Sequence, residues 1–455
     1  MIKFLDFLLL FILSFFYTQG YLIVQASTFE RNLFPLLFFL LIGYGLLSIQ
    51  KAYFTNNSKW INRWKLIIFS LICLITVGKT FYNAVNLRHQ MGNSYPVYDN
   101  VIQLEEGVKY ILQGKNPYSE TYVGTPLEPW FSSKELSVSL YHFVTLPFYV
   151  LFSAVASIPA NLLFGFFDER MVHLISLITC VFLIAKLIKN TEKKIIALTL
   201  FIFNPAFIHY FLEGRNDIFV FSLLFVSLYF LHTKRFLWSA LFFGLGFVSK
   251  QSSWLMLPFY FYYIYLTVKP RESFKSKFFP LTKLDSTFSR VSNKVTVKNF
   301  NSKYTSIILN VISKTWPFFV VTVALFMPFI VWDFRSFFQD IYLYPGGGLP
   351  TSYPISGIGA SMLFLRLGLI ASPQAYFPFW ILQILFAIPL LSILLLWLKK
   401  KPSISLLTLG YSLFLFTYWI FSRFVMESYI GFVSILILIG IIFYQVENEK
   451  NFIEN

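Results

Sequence analysis

Residues 377–401 read FPFWILQILFAIPLLSILLLWLKKK. No charged side chain stands between Phe377 and Leu398, and then Lys399, Lys400 and Lys401 follow without a break. At 1.5 Å rise per residue, about 20 apolar residues cover the roughly 30 Å hydrocarbon core of a bilayer. The lysine triplet marks the end that stays on the cytoplasmic side. Similar apolar runs fill the chain to either side. Phe7–Gln25, Phe34–Ile49 and Leu66–Tyr82 come first, then Met171–Leu187, Ile195–Leu212, Ile218–Leu231, Phe236–Val248 and Trp254–Leu266. Trp316–Val331 precedes the quoted stretch, and Ile404–Phe421 and Tyr429–Tyr444 follow it. Ser137–Phe167 is apolar but interrupted by Pro147 and Pro159, which predicts a helical hairpin or two short spans.

Composition agrees. Of 455 residues 57% are hydrophobic and only 13% charged, whereas a soluble domain carries roughly a quarter charged residues. The expected fold class is therefore an all-α polytopic integral membrane protein, a helical bundle of about 12–14 membrane segments with amphipathic helices on its outer face.

The net charge of +16 sits largely in short loops, where the positive-inside rule accounts for it, and no nucleic-acid partner is expected. Lys51, Lys59, Arg63 and Lys65 share one acid-free connection, which predicts a cytoplasmic loop and a cytoplasmic N-terminus. The following segment, 83–136, carries Asp99, Glu105, Glu106, Glu120, Glu128 and Glu135 and is expected outside. Lys189–Lys194 and His232–Arg235 fall inside; Gly214-Arg215-Asn216-Asp217 and Lys250-Gln251 fall outside. Lys269–Lys314 is strongly basic, opposed only by Glu272 and Asp285, and reads as a flexible cytoplasmic loop resting on anionic lipid. Trp332–Gly359 is expected as a second outer loop, and Ile358–Ile370, with Arg366, as a helix on the outer face.

The implied organisation is an N-terminal membrane module over 1–268, a basic cytoplasmic loop over 269–314 and C-terminal membrane helices over 315–455, with both termini cytoplasmic. The first helix is expected to be retained, although Val24-Gln25-Ala26 could pass for a signal-peptidase site. The membrane would be the plasma membrane in a prokaryote and the endoplasmic reticulum in a eukaryote. Cys73 and Cys180 lie in apolar runs and the five histidines are scattered, which offers neither a disulfide framework nor a metal-ligand spacing.

Chemistry concentrates in Tyr95-Pro96-Val97-Tyr98-Asp99-Asn100 and Gly114-Lys115-Asn116-Pro117-Tyr118. Between them Val101, Leu104, Val108, Ile111 and Leu112 recur at helical spacing, which predicts a short amphipathic helix on the outer surface, with Asp99 at its start and Gly114 at its end. Further on come Phe203-Asn204-Pro205, Gly214-Arg215-Asn216-Asp217, Gly244-Leu245-Gly246-Phe247-Val248-Ser249-Lys250 and Pro258. In this order and topology the chain resembles the GT-C superfamily of membrane glycosyltransferases. Within it, the chain is similar to the polyprenol-phosphate-mannose-dependent mannosyltransferases, including the GPI-anchor first mannosyltransferase and bacterial relatives. The GPI-type relatives carry Asp-x-Asp near this point, whereas Asp99 is followed by Asn100 and Val101.

The resemblance implies an inverting transfer of a hexose, mannose first, from a polyprenyl-phosphate sugar donor. The acceptor would be a lipid-linked, glycan or protein hydroxyl on the extracytoplasmic face. Asp99 would be the general base. Lys250 and Arg215 would hold phosphate, with Asp217, Arg423 and Tyr118 as further substrate contacts. No cofactor is called for; a divalent cation is the one the resemblance would admit.

The residues also admit plainer readings. Asp99 could be a helix cap, and Lys250 and Arg215 could snorkel to headgroups. Asp217 could pair with Arg215, and Arg423 with Glu427. Glu105 and Glu106 read as a solvated face, His142 and His209 as packing residues, and Gly346–Gly348 as a lid or an ordinary turn. Two other classes stay open: a lipid or glycan transporter or flippase, and a glycan polymerase or ligase relying on outer-loop arginines and an undecaprenyl-diphosphate substrate. No sequence repeat relates the two halves, which counts against a transporter of inverted repeats.

Overall fold

The computed structural model describes residues 4–20, 33–54, 59–91, 97–131, 137–268 and 293–454. The Val24-Gln25-Ala26 site, Tyr95, Pro96, Glu135 and residues 269–292 of the basic insert lie outside them.

Helix dominates because backbone N–H and C=O groups in hydrocarbon must be satisfied within the segment. The helices are α1 (Leu5–Thr18), α2 (Leu33–Tyr53), α3 (Lys59–Cys73) and α4 (Lys79–Met91), the last two joined by a π-helical turn at Leu74–Gly78. Then come α5 (Asp99–Leu112), α6 (Pro147–Phe164), α7 (Arg170–Leu187), α8 (Thr191–Ile202), α9 (Ile208–Glu213), α10 (Asp217–His232), α11 (Phe236–Phe247) and α12 (Leu257–Val268). The chain closes with α13 (Asn293–Phe338), α14 (Ala360–Arg366), α15 (Phe379–Lys400), α16 (Ile404–Ile420) and α17 (Glu427–Glu454). Among the described residues, seven helical stretches are long and apolar enough to cross a membrane, and four more apolar helices are shorter. The fold is an all-α polytopic membrane protein, as its sequence predicts. A parallel two-residue strand pair, Ser356–Gly357 with Phe424–Val425, is the one sheet among the described residues.

Three expectations need correction. Ser137–Phe167 is not a hairpin. Its first part is a 3₁₀ turn and extended chain, and a single helix runs from Pro147 to Phe164. Pro147 occupies the first helical turn, where its missing N–H costs nothing, and α6 continues through Pro159. The basic insert is not a loop throughout: from Asn293 it is helical and continuous with the following span. Nor is Trp332–Gly359 all loop. Asp333 breaks α13 with extended φ and ψ of −158° and 92°. Its carboxylate then accepts from Ser336 N–H at 3.1 Å and Ser336 Oγ at 2.7 Å, restarting the helix as an N-cap.

One hydrophobic cluster runs from Leu10 to Phe443 and joins N-terminal helices to α15, α16 and α17, so the core continues past the basic insert. A second cluster, built from Val101, Leu104, Tyr118, Phe143, Tyr149, Phe219 and Phe337, packs α5 against α6, α10 and α13. The bundle has two polar ends. At one, Lys51 pairs with Glu192 at 3.1 Å, Lys193 with Glu449 at 2.5 Å, and Glu447 accepts the Ile404 N–H at 2.8 Å. Helix α7 leads from that end to the other, where Arg170, the N-terminus of α5 and the turns after α9 and α11 come together.

Candidate active site

Three segments far apart in sequence meet at this second end. The Tyr98 N–H donates to the Glu213 carbonyl at 2.9 Å and ties the start of α5 to the end of α9. Gly214 makes the approach possible. Its φ is +94°, and a Cβ there would lie 2.3 Å from Val101 Cγ2 and 3.2 Å from Arg170 Cγ. Only glycine takes up that left-handed turn while leaving room for its neighbours, which gives the Gly214-Arg215-Asn216-Asp217 motif its first residue.

The last two motif residues build a polar frame. Asn216 Nδ2 donates to Asn100 Oδ1 at 3.0 Å. Lys250 Nζ donates to Asn216 Oδ1 at 2.7 Å and to Asp217 Oδ1 at 2.5 Å. Asp217, at the head of α10, thus pairs with Lys250 rather than with Arg215. Lys250 and Asp217 expose only 19% and 7% of their side chains, so the lysine charge is already engaged.

Arg215 is different. Its guanidinium lies 3.8 Å above the Tyr98 ring and 5.4 Å from the Tyr210 ring. Its Nε stands 3.6 Å from Glu213 Oε2 and has no hydrogen-bond partner among the described residues. Two aromatic faces and the Glu213 carboxylate thus flank the guanidinium at the mouth of this turn.

Asp99 opens α5, with extended Tyr98 as N-cap and no side-chain capping bond. Its Oδ1 accepts the Asn100 N–H at 2.8 Å, so it supports the first turn without being the cap. The residue is half-buried. Burial pushes its carboxyl up to about 6, against the lowering by the Asn100 N–H and the Arg215 charge. Near neutral pH such a group can take up a proton and release it. A divalent cation does not fit this donor set: Asp217 is committed to Lys250, a guanidinium flanks Asp99, and no cluster of three ligating side chains occurs among the described residues.

Two expected substrate contacts have structural partners instead. Tyr118 is buried among Phe143, Phe329 and Phe337, with ring centroids at 5.3, 5.5 and 4.9 Å, and its hydroxyl donates to the Thr145 carbonyl at 2.6 Å. Arg423 donates to the carbonyls of Tyr353, Ala375, Pro373 and Gln374 at 2.6–3.2 Å, and not to Glu427. A Cβ on Gly347, whose φ is +85°, would fall 2.6 Å from Arg423 Nη1, so the middle residue of the Gly346–Gly348 run is packed against this clamp.

A network that sequence reasoning missed lies beneath the site. Arg88 grips Glu105 through two bonds of 2.8 and 2.6 Å and reaches Asp168 at 2.9 Å. Arg170 Nε and Nη2 bind the same Asp168 at 2.9 and 2.8 Å. Burial would raise the Asp168 carboxyl, but bonds from Arg170 and His89 and the charges of Arg170 and Arg88 prevail and hold it far below the usual range. Glu105 is thus a half-buried tie between α4, α5 and α7, not a solvated face; Glu106 is buried, bonded to Lys109 at 2.5 Å. The available signal was the triplet Asp168-Glu169-Arg170 abutting an apolar run, since charges at such a place need partners. His142 was also underread. It links Asp340 at 2.7 Å to Thr351 at 2.8 Å and fastens the 137–146 segment to the chain after α13.

Residues 110–265 match the family model of the alpha-(1->6)-mannopyranosyltransferase N-terminal domain, MptA_B family. The match supports a membrane mannosyltransferase of GT-C type. It covers about a third of the chain and includes Arg215, Asn216, Asp217 and Lys250, while Asp99 lies just ahead of it. No curated protein and no solved structure matches the chain.

Proposed function

We propose that this protein transfers mannose from a polyprenyl-phosphate donor to a hydroxyl of a glycan, lipid-linked or protein acceptor, with inversion, on the extracytoplasmic side. The acceptor oxygen attacks the anomeric carbon and forms the new glycosidic bond. The bond from that carbon to the phosphate oxygen breaks, polyprenyl phosphate leaves, and Asp99 takes the acceptor proton. Arg215 receives the phosphate charge that develops on the leaving group. Lys250 acts one step back: through Asn216 and Asp217 it positions the turn that carries Arg215 and, through Asn100, the start of α5.

The observation that carries this reading is a carboxyl poised near 6 within the field of the Arg215 guanidinium, in a chain whose adjoining segment matches a mannosyltransferase domain. Arg423, bound to four carbonyls, gives little support to a polymerase that works through outer arginines. The test is transfer of radiolabelled mannose in proteoliposomes containing envelope acceptor extracts. Transfer from polyprenyl-phosphate mannose but not from a nucleotide sugar is expected. Translocation of a labelled lipid across the bilayer without any transfer would replace the enzyme reading by a transporter.

A further inference from the structure

A groove of about 630 Å³ runs along α3 at the end of the bundle remote from Asp99. Lys59 and Arg63 line its polar end beside Thr191, and Leu66, Leu71 and Leu74 line the rest. The four basic residues of this region divide in two. Lys51 is held by Glu192 and Asn62, and Lys65 is buried against Asp6. Lys59 and Arg63, one helical turn apart, make no ion pair among the described residues and face the groove together. Below them the walls stay open: Leu71 is 41% and Leu74 64% exposed. Trp60 and Trp64, also exposed, stand at the same level as the charges, where indole rings favour the headgroup zone. From Arg63 to Leu74 the helix rises roughly 16 Å, close to the ~15 Å half-thickness of a hydrocarbon core.

We propose that this groove binds one anionic phospholipid of the leaflet opposite the candidate active site. Lys59 and Arg63 take the phosphodiester, and one acyl chain lies along Leu66, Leu71 and Leu74. Charge selects the occupant: two unpaired cations with no acid on the groove wall suit an anionic headgroup and gain little from a zwitterionic one. An apolar surface of a second copy would leave both cations without partners.

The experiment is native mass spectrometry of the full-length protein in mild detergent, with phosphatidylglycerol and phosphatidylcholine supplied in equal amounts. Wild type should retain one phosphatidylglycerol in preference. Each basic residue near an anionic surface contributes a roughly fivefold preference, so Lys59→Gln/Arg63→Gln should lower retention about 25-fold. Leu71→Trp, which narrows the groove and leaves both charges, should also lower it. Lys399→Ala/Lys400→Ala, removing two exposed lysines from the same end, should change little. Equal retention of both lipids by wild type, equal losses in the two charge variants, or a groove-dependent dimer without bound lipid would each overturn the proposal.

Discussion

Replacing Asp99 by asparagine separates its two roles. The amide oxygen can still accept the Asn100 N–H that Asp99 now takes at 2.8 Å, so the first turn of α5 should survive. What disappears is the oxygen that would receive the acceptor proton. A positioned general base contributes roughly 10²–10⁴ in rate, which corresponds to about 3–5.5 kcal/mol of barrier. The wild-type pH profile gives a second, independent number. With its carboxyl at about 6, Asp99 is about nine-tenths ionised at pH 7 and about one-tenth ionised at pH 5. Because the base works only as carboxylate, transfer should fall about tenfold as pH drops across that interval. At the ordinary carboxyl value of 3.8 the group would remain almost wholly ionised at pH 5 and the profile would be nearly flat. The assay is single-turnover mannose transfer in proteoliposomes at matched protein content, which keeps product release from masking chemistry. Asp99→Asn activity within about threefold of wild type, or a flat wild-type profile from pH 7 to 5, would refute the assignment.

Four further outcomes follow from the geometry. Lys250→Met leaves the Asp217 carboxylate largely buried without its cation and should lower stability by about 2–4 kcal/mol, allowing for the partly exposed lysine. Adding Asp217→Asn should recover most of that in denaturant unfolding in detergent, and a double variant no more stable than the single one would contradict the pairing. Gly214→Ala forces a left-handed residue against Val101 and should cost about 2–4 kcal/mol together with most activity, by the same unfolding assay and mannose transfer. Asp168→Asn removes the shared anion of Arg88 and Arg170 and should lower stability by about 3–5 kcal/mol, read from the same unfolding curves. Arg423→Lys cannot reproduce a planar fork to four carbonyls; the 353–375 segment should be cleaved faster in limited proteolysis while the chain still folds.

Much of this molecule is legible one segment at a time. The uncharged run at Phe377–Leu398 predicts the membrane helix that α15 provides, and the spacing from Val101 to Leu112 predicts α5, with Asp99 at its start and Gly114 just beyond its end. Such features depend on run length and local periodicity, properties that a stretch of 14–25 residues carries by itself. Proline shows where that reading stops: Pro147 and Pro159 suggest breaks, yet one starts a helix and the other sits inside it.

Partner choice is what tertiary structure alone decided. Asp217 lies two residues from Arg215 but bonds Lys250, which is 33 residues away. Arg88 meets Asp168 across 80 residues, and His142 meets Asp340 across 198. A charge near hydrocarbon must find a counter-charge or a dipole, and sequence announces that need without naming who meets it. The answer depends on which helix ends the packed core brings within about 3 Å of each other. Composition and periodicity therefore determine that this is a helical membrane protein with a short amphipathic helix starting at Asp99. Only the fold determines that Lys250 is committed to Asp217, that Arg423 is a clamp, and that Arg215 lies over the Tyr98 ring.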